Sequence, residues 1–119
     1  MSGPALSPAP AAGAIELARR IREREVSARA TVERTLADIA QRNPDSNAFT
    51  LVTGTRALAQ ADAIDNALAE GRALPPLAGV PFAVKNLFDI AGEVTTAGSR
   101  VNRTLPPATG DAVLVERLT

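Results

Sequence analysis

The chain contains no cysteine, no histidine, no tryptophan and no tyrosine. Without cysteine there is no disulfide and no thiolate nucleophile. With histidine also missing, Cys/His metal sites and any Ser-His-Asp triad built from these residues are excluded. The formal net charge is zero, which leaves no electrostatic footprint for nucleic acid or an anionic membrane. No apolar run approaches the ~20 residues that a bilayer-spanning helix needs. The start of the chain, MSGPALSPAPAAG, has neither a basic n-region nor an apolar h-region. Residues 1–13 are therefore expected to be a flexible Ala/Pro-rich tail and not a signal peptide, with a cytoplasmic location as the default. A carboxylate-only metal site stays open in principle, but the acids are scattered along helical segments without a clustered loop motif. No metal and no cofactor is expected. The most pointed shortage is of lysine: twelve arginines stand against a single lysine, Lys85.

At 119 residues there is room for one small domain at most. Ile15, Ala18 and Ile21 recur at helical spacing and predict an amphipathic helix over residues 14–24. Ser27 is a plausible N-cap for a second helix from Ala28 to about Arg42. Its apolar stripe is Ala28, Val32, Leu36 and Ile39, and Asn43-Pro44 is expected to end it. The β-prone segment Ala48–Val52 suggests a strand. A third helix is expected from about Thr55 to Glu70, with Ala57, Ala61, Ile64 and Leu68 facing inward and Gly71 as its C-terminal cap. The double proline of RALPPL forbids helix. Gly79 to Lys85 is then almost continuously apolar, which suits a strand buried on both faces. Strand, helix, strand in that order predicts a right-handed crossover with parallel strands. Asp111 is positioned to cap a last helix carrying Ala112, Val113, Val115 and Leu118, whose pattern runs without a stop signal to Thr119. A strand buried on both faces needs covering layers that these few helices supply only in part, so the chain reads as an incomplete α/β unit.

Arginine stays protonated in proteins, whereas lysine can lose its proton when burial disfavours the ammonium. At the C-terminal end of a buried strand, where open α/β sheets bind ligands, a neutral amine could serve as general base or Schiff-base nucleophile. The plainer alternative is that Lys85 marks the strand's exit into solvent, its stem packed and its head hydrated.

The residues around Lys85 favour the chemical alternative. The stretch GVPFAVKNLFDIAGEVTTAGS resembles the lysine-bearing motif of the amidase signature family, with Gly79, Val80, Pro81, Lys85, Asp89, Gly92, Thr95, Thr96 and Ser99 in register. PPATGDAVLVERL resembles the family's Pro-rich loop and following helix, and VSARATVERTLADIAQRNPDSNAF its amino-terminal helices and first strand. The resemblance covers residues 14–119. It implies the amino-terminal part of the amidase signature fold, an α/β architecture with a mixed central sheet flanked by helices. It also implies hydrolysis of amide C–N bonds by a Ser–cis-Ser–Lys triad, in which Lys85 is the distal base. The Gly-Gly-Ser-Ser-Gly pattern that carries the family's two serines is absent from this sequence. Ser99, Thr95 and Thr96 either line or brace the site, or are turn residues whose hydroxyls bond nearby backbone. Asp89 is a turn residue or the partner of a cation. Asn86 departs from the aspartate that many members carry directly after the lysine.

Within the family the resemblance is strongest to bacterial 1-carboxybiuret hydrolase-like amidases, which implies small amides or ureide-like substrates. It is more distant to the glutamine-hydrolysing A subunits of tRNA-dependent amidotransferases. The expected partners are the remainder of an amidase chain or a complementary subunit, together with a small-molecule amide; self-association is open, and neither nucleic acid nor membrane is expected. The 119 residues alone are not expected to be active, and their unfolding is expected to be poorly cooperative. The competing hypothesis is a non-catalytic module that binds a partner through an exposed sheet edge and apolar face.

Overall fold

A computed structural model describes residues 12–119, so most of the proposed tail, residues 1–11, lies outside the described residues. Two compact units divide the chain, the first ending at Pro81 and the second spanning Phe82–Thr119. The first contains three helices: α1 (Ala14–Arg22), α2 (Ala28–Ser46) and α3 (Gly54–Ala69).

The helix α1 buries Ala18 and Ile21 with Leu17 packed beside them, the i, i+3, i+4 stripe of one face. Ile15, expected on that face, points away and is 83% exposed. The helix stops two residues earlier than its pattern suggests because Arg24 takes a left-handed conformation, φ 59°. Glu25 N–H then donates to Arg20 O and Arg24 N–H to Ile21 O, the paired bonds of a Schellman ending. Outside, Arg19 bridges Glu16, Glu23 and Glu25. The hydrogen bond to Arg19 holds the Glu16 and Glu25 carboxyls below their ordinary range. This contribution is present above that range and fades as pH falls through the lowered value, and it is small because the groups are exposed.

The N-terminus of α2 is capped from two directions. Ser27 Oγ accepts from Ala30 N–H at 3.0 Å, the local cap that its position predicts. Asp65 of α3 reaches across and takes two more of the first-turn donors, Ala28 N–H at 2.8 Å and Arg29 N–H at 2.9 Å. These donors have no partner within the helix, and the carboxylate sits where the helix dipole favours negative charge. One turn earlier on α3, Asp62 receives Arg29 Nη1 at 2.7 Å. Between the helices, Ile21, Ala28, Val32 and Ala61 are buried together, with Leu36, Ala57, Ile64 and Leu68 packed around them. The expected inward stripes of α2 and α3 thus meet.

Asn43-Pro44 does not end α2, which continues through Pro44 to Ser46. Proline inside a helix gives up its own bond to the carbonyl four residues back, and here the helix closes within one further turn, where Asn47 takes a left-handed conformation with its N–H on Asn43 O. The segment after it forms no strand. Its backbone finds a partner in a side chain instead: Phe49 N–H donates to Asn43 Oδ1 at 2.8 Å and Phe49 O accepts from Asn43 Nδ2 at 3.0 Å. The helix α3 ends as expected at glycine. Gly71, φ 71°, follows the last turn, with Arg72 N–H on Ala67 O and Gly71 N–H on Leu68 O.

The second expected strand is also absent: no β-strand forms among the described residues, and so neither the crossover nor a sheet edge is present there. A ladder requires a neighbouring backbone 4.7–4.9 Å away along the hydrogen-bond direction. Residues 80–85 have no such neighbour, and Phe82 in their middle is 43% exposed. What anchors the start of this segment is Gly79, φ 85°, against the core. A Cβ there would lie 3.0 Å from Ile21 Cδ1, 3.1 Å from Ile21 Cγ2 and 3.2 Å from Ala28 Cβ. Both this tight approach and the positive φ favour glycine here. In the second unit, one turn of 3-10 helix (Val101–Thr104) precedes α4 (Val113–Leu118). The N-cap of α4 is Ala112, not the expected Asp111, and Asp111 Oδ1 accepts from Ala91 N–H at 2.8 Å. No helix among the described residues is long and apolar enough to cross a membrane.

Two glycine substitutions and one at Asp65 test this account. Gly71→Ala meets open space and should cost only the left-handed backbone penalty, about 1–2 kcal/mol less glycine's own entropy. Gly79→Ala carries the same penalty plus overpacking of about 1–3 kcal/mol, so urea denaturation should rank it clearly the less stable. Equal midpoints would mean that the core does not grip Gly79. Asp65→Ala strands the Ala28 and Arg29 N–H groups and should lower stability by about 1–2 kcal/mol, whereas an unchanged midpoint would remove the cross-helix cap from the account.

Candidate functional site

The Lys85 region is built from turns held by side chains. Phe88 N–H donates to Lys85 O at 3.0 Å, closing a β-turn that begins at the lysine. Asn86, the next residue, is tied twice to one neighbouring loop. Its Nδ2 donates to Thr96 Oγ1 at 2.7 Å, and its carbonyl accepts from Ala97 N–H at 3.1 Å. That loop is itself tightly turned. Ala97 (φ 47°) and Gly98 (φ 74°) are both left-handed, and Ser99 N–H donates to Thr96 O at 2.8 Å. Consecutive positive φ angles closed by such a bond are the pattern of a type I′ turn. Asn102, in the 3-10 turn, adds a second donor to Thr96 O, through Nδ2 at 3.1 Å.

A second group of bonds holds the loop between Asp89 and Glu93. Thr95 Oγ1 donates to Asp89 Oδ1, and Asp89 O accepts from Ala112 N–H at the start of α4. Gly92 N–H donates to Ala108 O, and Ala108 N–H returns a bond to Glu93 O. Gly92 is left-handed at φ 82°, the conformation that the turn Ile90–Glu93 uses to bring its N–H toward Ala108. With Asp111 on Ala91 N–H, four stretches of irregular chain are joined without a sheet.

The sequence-derived candidates thus divide by what they touch. Thr96 contacts the residue next to Lys85, Thr95 contacts Asp89, and Ser99 enters the network through its backbone N–H. Asp89 bonds a hydroxyl and a backbone N–H. The Lys85 side chain is exposed, contrary to the expectation of a strand end buried on both faces, because no ladder or covering layer forms around it here. Its amine stays outside the hydrogen-bond network of the described residues. Asn86, Asn102 and Asp111 emerge as organisers. The signal for them was their type, since Asn and Asp side chains readily bond backbone in turns, but their partners lie 6 to 20 residues away and no local pattern names them. Chemically, the arrangement presents one primary amine at the head of a clamped turn, flanked by hydroxyl and amide groups already engaged with one another.

Comparison with known proteins agrees with the motif around the lysine. Residues 30–119 match the family model described as Amidase. AtzE of Pseudomonas sp. (strain ADP), which belongs to 1-carboxybiuret hydrolase, is 56% identical over 104 residues, covering 87% of this chain and 23% of that protein. The A subunit of glutamyl-tRNA(Gln) amidotransferase from Prochlorococcus marinus (strain MIT 9303) is 48% identical over 94 residues, 79% of this chain and 19% of that protein. A solved structure, described as an unexpected vestigial protein complex that reveals the evolutionary origins of an s-triazine catabolic enzyme, superposes with a TM-score of 0.89 at 54% identity. The match covers 90% of this chain and 23% of that one. The chain therefore spans less than a quarter of the length of these relatives. With the family match extending from the first turns of α2 through the whole Lys85 region to Thr119, the chain belongs to the amidase family.

Proposed function

We propose that Lys85 is the lysine of a Ser–cis-Ser–Lys triad that hydrolyses amide C–N bonds, with both serines supplied from outside these residues. Lys85 in its neutral form accepts the proton of the bridging serine as that serine takes the proton of the nucleophile. The nucleophilic oxygen adds to the amide carbonyl, the same relay returns a proton to the departing nitrogen, and water then releases the acyl group. Arginine could not fill this place because it does not give up its proton. The observation that carries this reading is that the only lysine of the chain stands at the head of a turn tied down through Asn86 and Phe88.

Small amides or ureide-like compounds such as 1-carboxybiuret are the proposed substrates, supported by the higher identity to the 1-carboxybiuret hydrolase relative than to the amidotransferase relative. Glutamine hydrolysis in an amidotransferase is the second reading, supported by the several amidotransferase relatives. The rest of an amidase chain or a complementary subunit is the proposed partner, and Thr95, Thr96 and Ser99 are proposed to brace the site.

In the full-length enzyme, Lys85→Arg and Lys85→Ala should each reduce kcat for amide hydrolysis by about 10²–10⁴-fold, the usual weight of general acid–base catalysis, while circular dichroism stays unchanged. Parent-level turnover by Lys85→Arg would exclude the triad assignment. The same assay run on 1-carboxybiuret and on glutamine separates the two substrate readings, and faster turnover of glutamine would favour the second.

A further inference from the structure

We infer that Asn86 and Thr96 form a clamp that sets the direction in which Lys85 presents its amine, making both positioning residues for that lysine; this rests on the role proposed above for Lys85. Hydrogen bonds of two kinds, backbone and side-chain, act on the turn that starts at the lysine. Lys85 O receives Phe88 N–H, Asn86 O receives Ala97 N–H, and Asn86 Nδ2 reaches Thr96 Oγ1 at 2.7 Å. The first fixes the turn and the second fixes the backbone of the adjoining residue. The third is made by side chains, so substitution can remove it while these two backbone bonds remain.

The far side of the clamp is itself held. Thr96 O accepts from both Ser99 N–H and Asn102 Nδ2, and the residue after it is Ala97 in a left-handed conformation, φ 47°, which a residue with a Cβ adopts at a cost of roughly 1–2 kcal/mol. Backbone in so unfavourable a conformation persists only where its surroundings over-determine it. Thr96 is thus a fixed post against which Asn86 is tied. A flexible lysine stem has four rotatable bonds, and misplacing a catalytic group by about 1 Å can cost on the order of 10²-fold in rate. Fixing the backbone at the root of that stem narrows the search without touching the amine.

The geometry also accounts for Asn at this position. The Asn86 amide donates and the threonine hydroxyl accepts. A carboxylate at the same place could only accept, and the threonine hydroxyl can donate to it. The link can therefore survive the exchange of Asn for Asp with its direction reversed, whereas it cannot survive Leu at position 86 or Val at position 96.

Two readouts test this. In the full-length enzyme labelled with [15N]lysine, the backbone amide signal of Lys85 is the one that disappears in Lys85→Arg. Its order parameter should be near the rigid value of about 0.85 in the parent and fall toward about 0.6 in Thr96→Val and Asn86→Leu. Thr96→Ser and Asn86→Asp should keep it high. In the full-length enzyme, the two disrupting variants should lower kcat roughly 10–100-fold with KM within about twofold, as expected for lost alignment. The two conservative variants should stay within about threefold of the parent, and Asn86→Leu combined with Thr96→Val should be no worse than either alone. A Lys85 amide already mobile in the parent, an unchanged order parameter in Thr96→Val, or equal losses in Thr96→Val and Thr96→Ser would each overturn the clamp. Full activity in Lys85→Arg, with the order parameters behaving as expected, would instead overturn the triad role and leave the clamp as a structural device.

Discussion

The first unit is organised around one missing side chain. Gly79 lies so close to Ile21 and Ala28, the two most deeply buried residues of the core, that a methyl group there would press on their side chains and force them to give by a few tenths of an ångström. Interiors packed at crystal-like density have little slack to absorb such an intrusion. The contact draws the loop after α3 back onto α1 and the start of α2. The glycine of the Gly-Val-Pro motif is thus favoured by packing and by its positive φ together.

The two units are stabilised by different physics. Between α1, α2 and α3 the dominant favourable term is burial of aliphatic surface, with Asp65 supplying the partners that the first turn of α2 lacks. Among the described residues from Phe82 onward, the only buried hydrophobic side chain is that of Val115. There the structure is a lattice of directed bonds, in which Asn86, Asp89, Thr95, Thr96, Asn102 and Asp111 serve backbone and side-chain groups that a sheet or helix would otherwise have paired. Such bonds are individually worth about 0.5–1.5 kcal/mol and depend strongly on geometry. A lattice of this kind fixes the turn that begins at Lys85 in angle as well as in distance.

The helices were legible because their signals are local. The stripes of α2 and α3, the Ser27 cap and the glycine after α3 each depend on residues within about two turns of one another. Local signals failed where a distant group competed. Proline at position 44 reads as a stop, yet Asn43 serves Phe49 and the helix runs on. Asp111 reads as a cap, yet it lies one residue too early and bonds Ala91. Ile15 reads as core because its period is right, but the buried stripe follows Leu17, Ala18 and Ile21. The strands were expected from apolar content, which reports burial preference and not the presence of a neighbouring backbone.

Lys85 itself was visible from composition, as the single amine among twelve arginines in a recognisable motif, and family membership follows from the same residues. The sequence by itself determined the helices, the glycine turns and the identity of the candidate reactive group, since these rest on side-chain chemistry and short-range periodicity. Only the tertiary structure decided that Asp65 caps α2, that Gly79 is wedged on Ile21, and that Asn86 ties the lysine's turn to Thr96. Each of those contacts joins residues separated by loops, and its energy exists only once the intervening chain has folded to bring the two ends together.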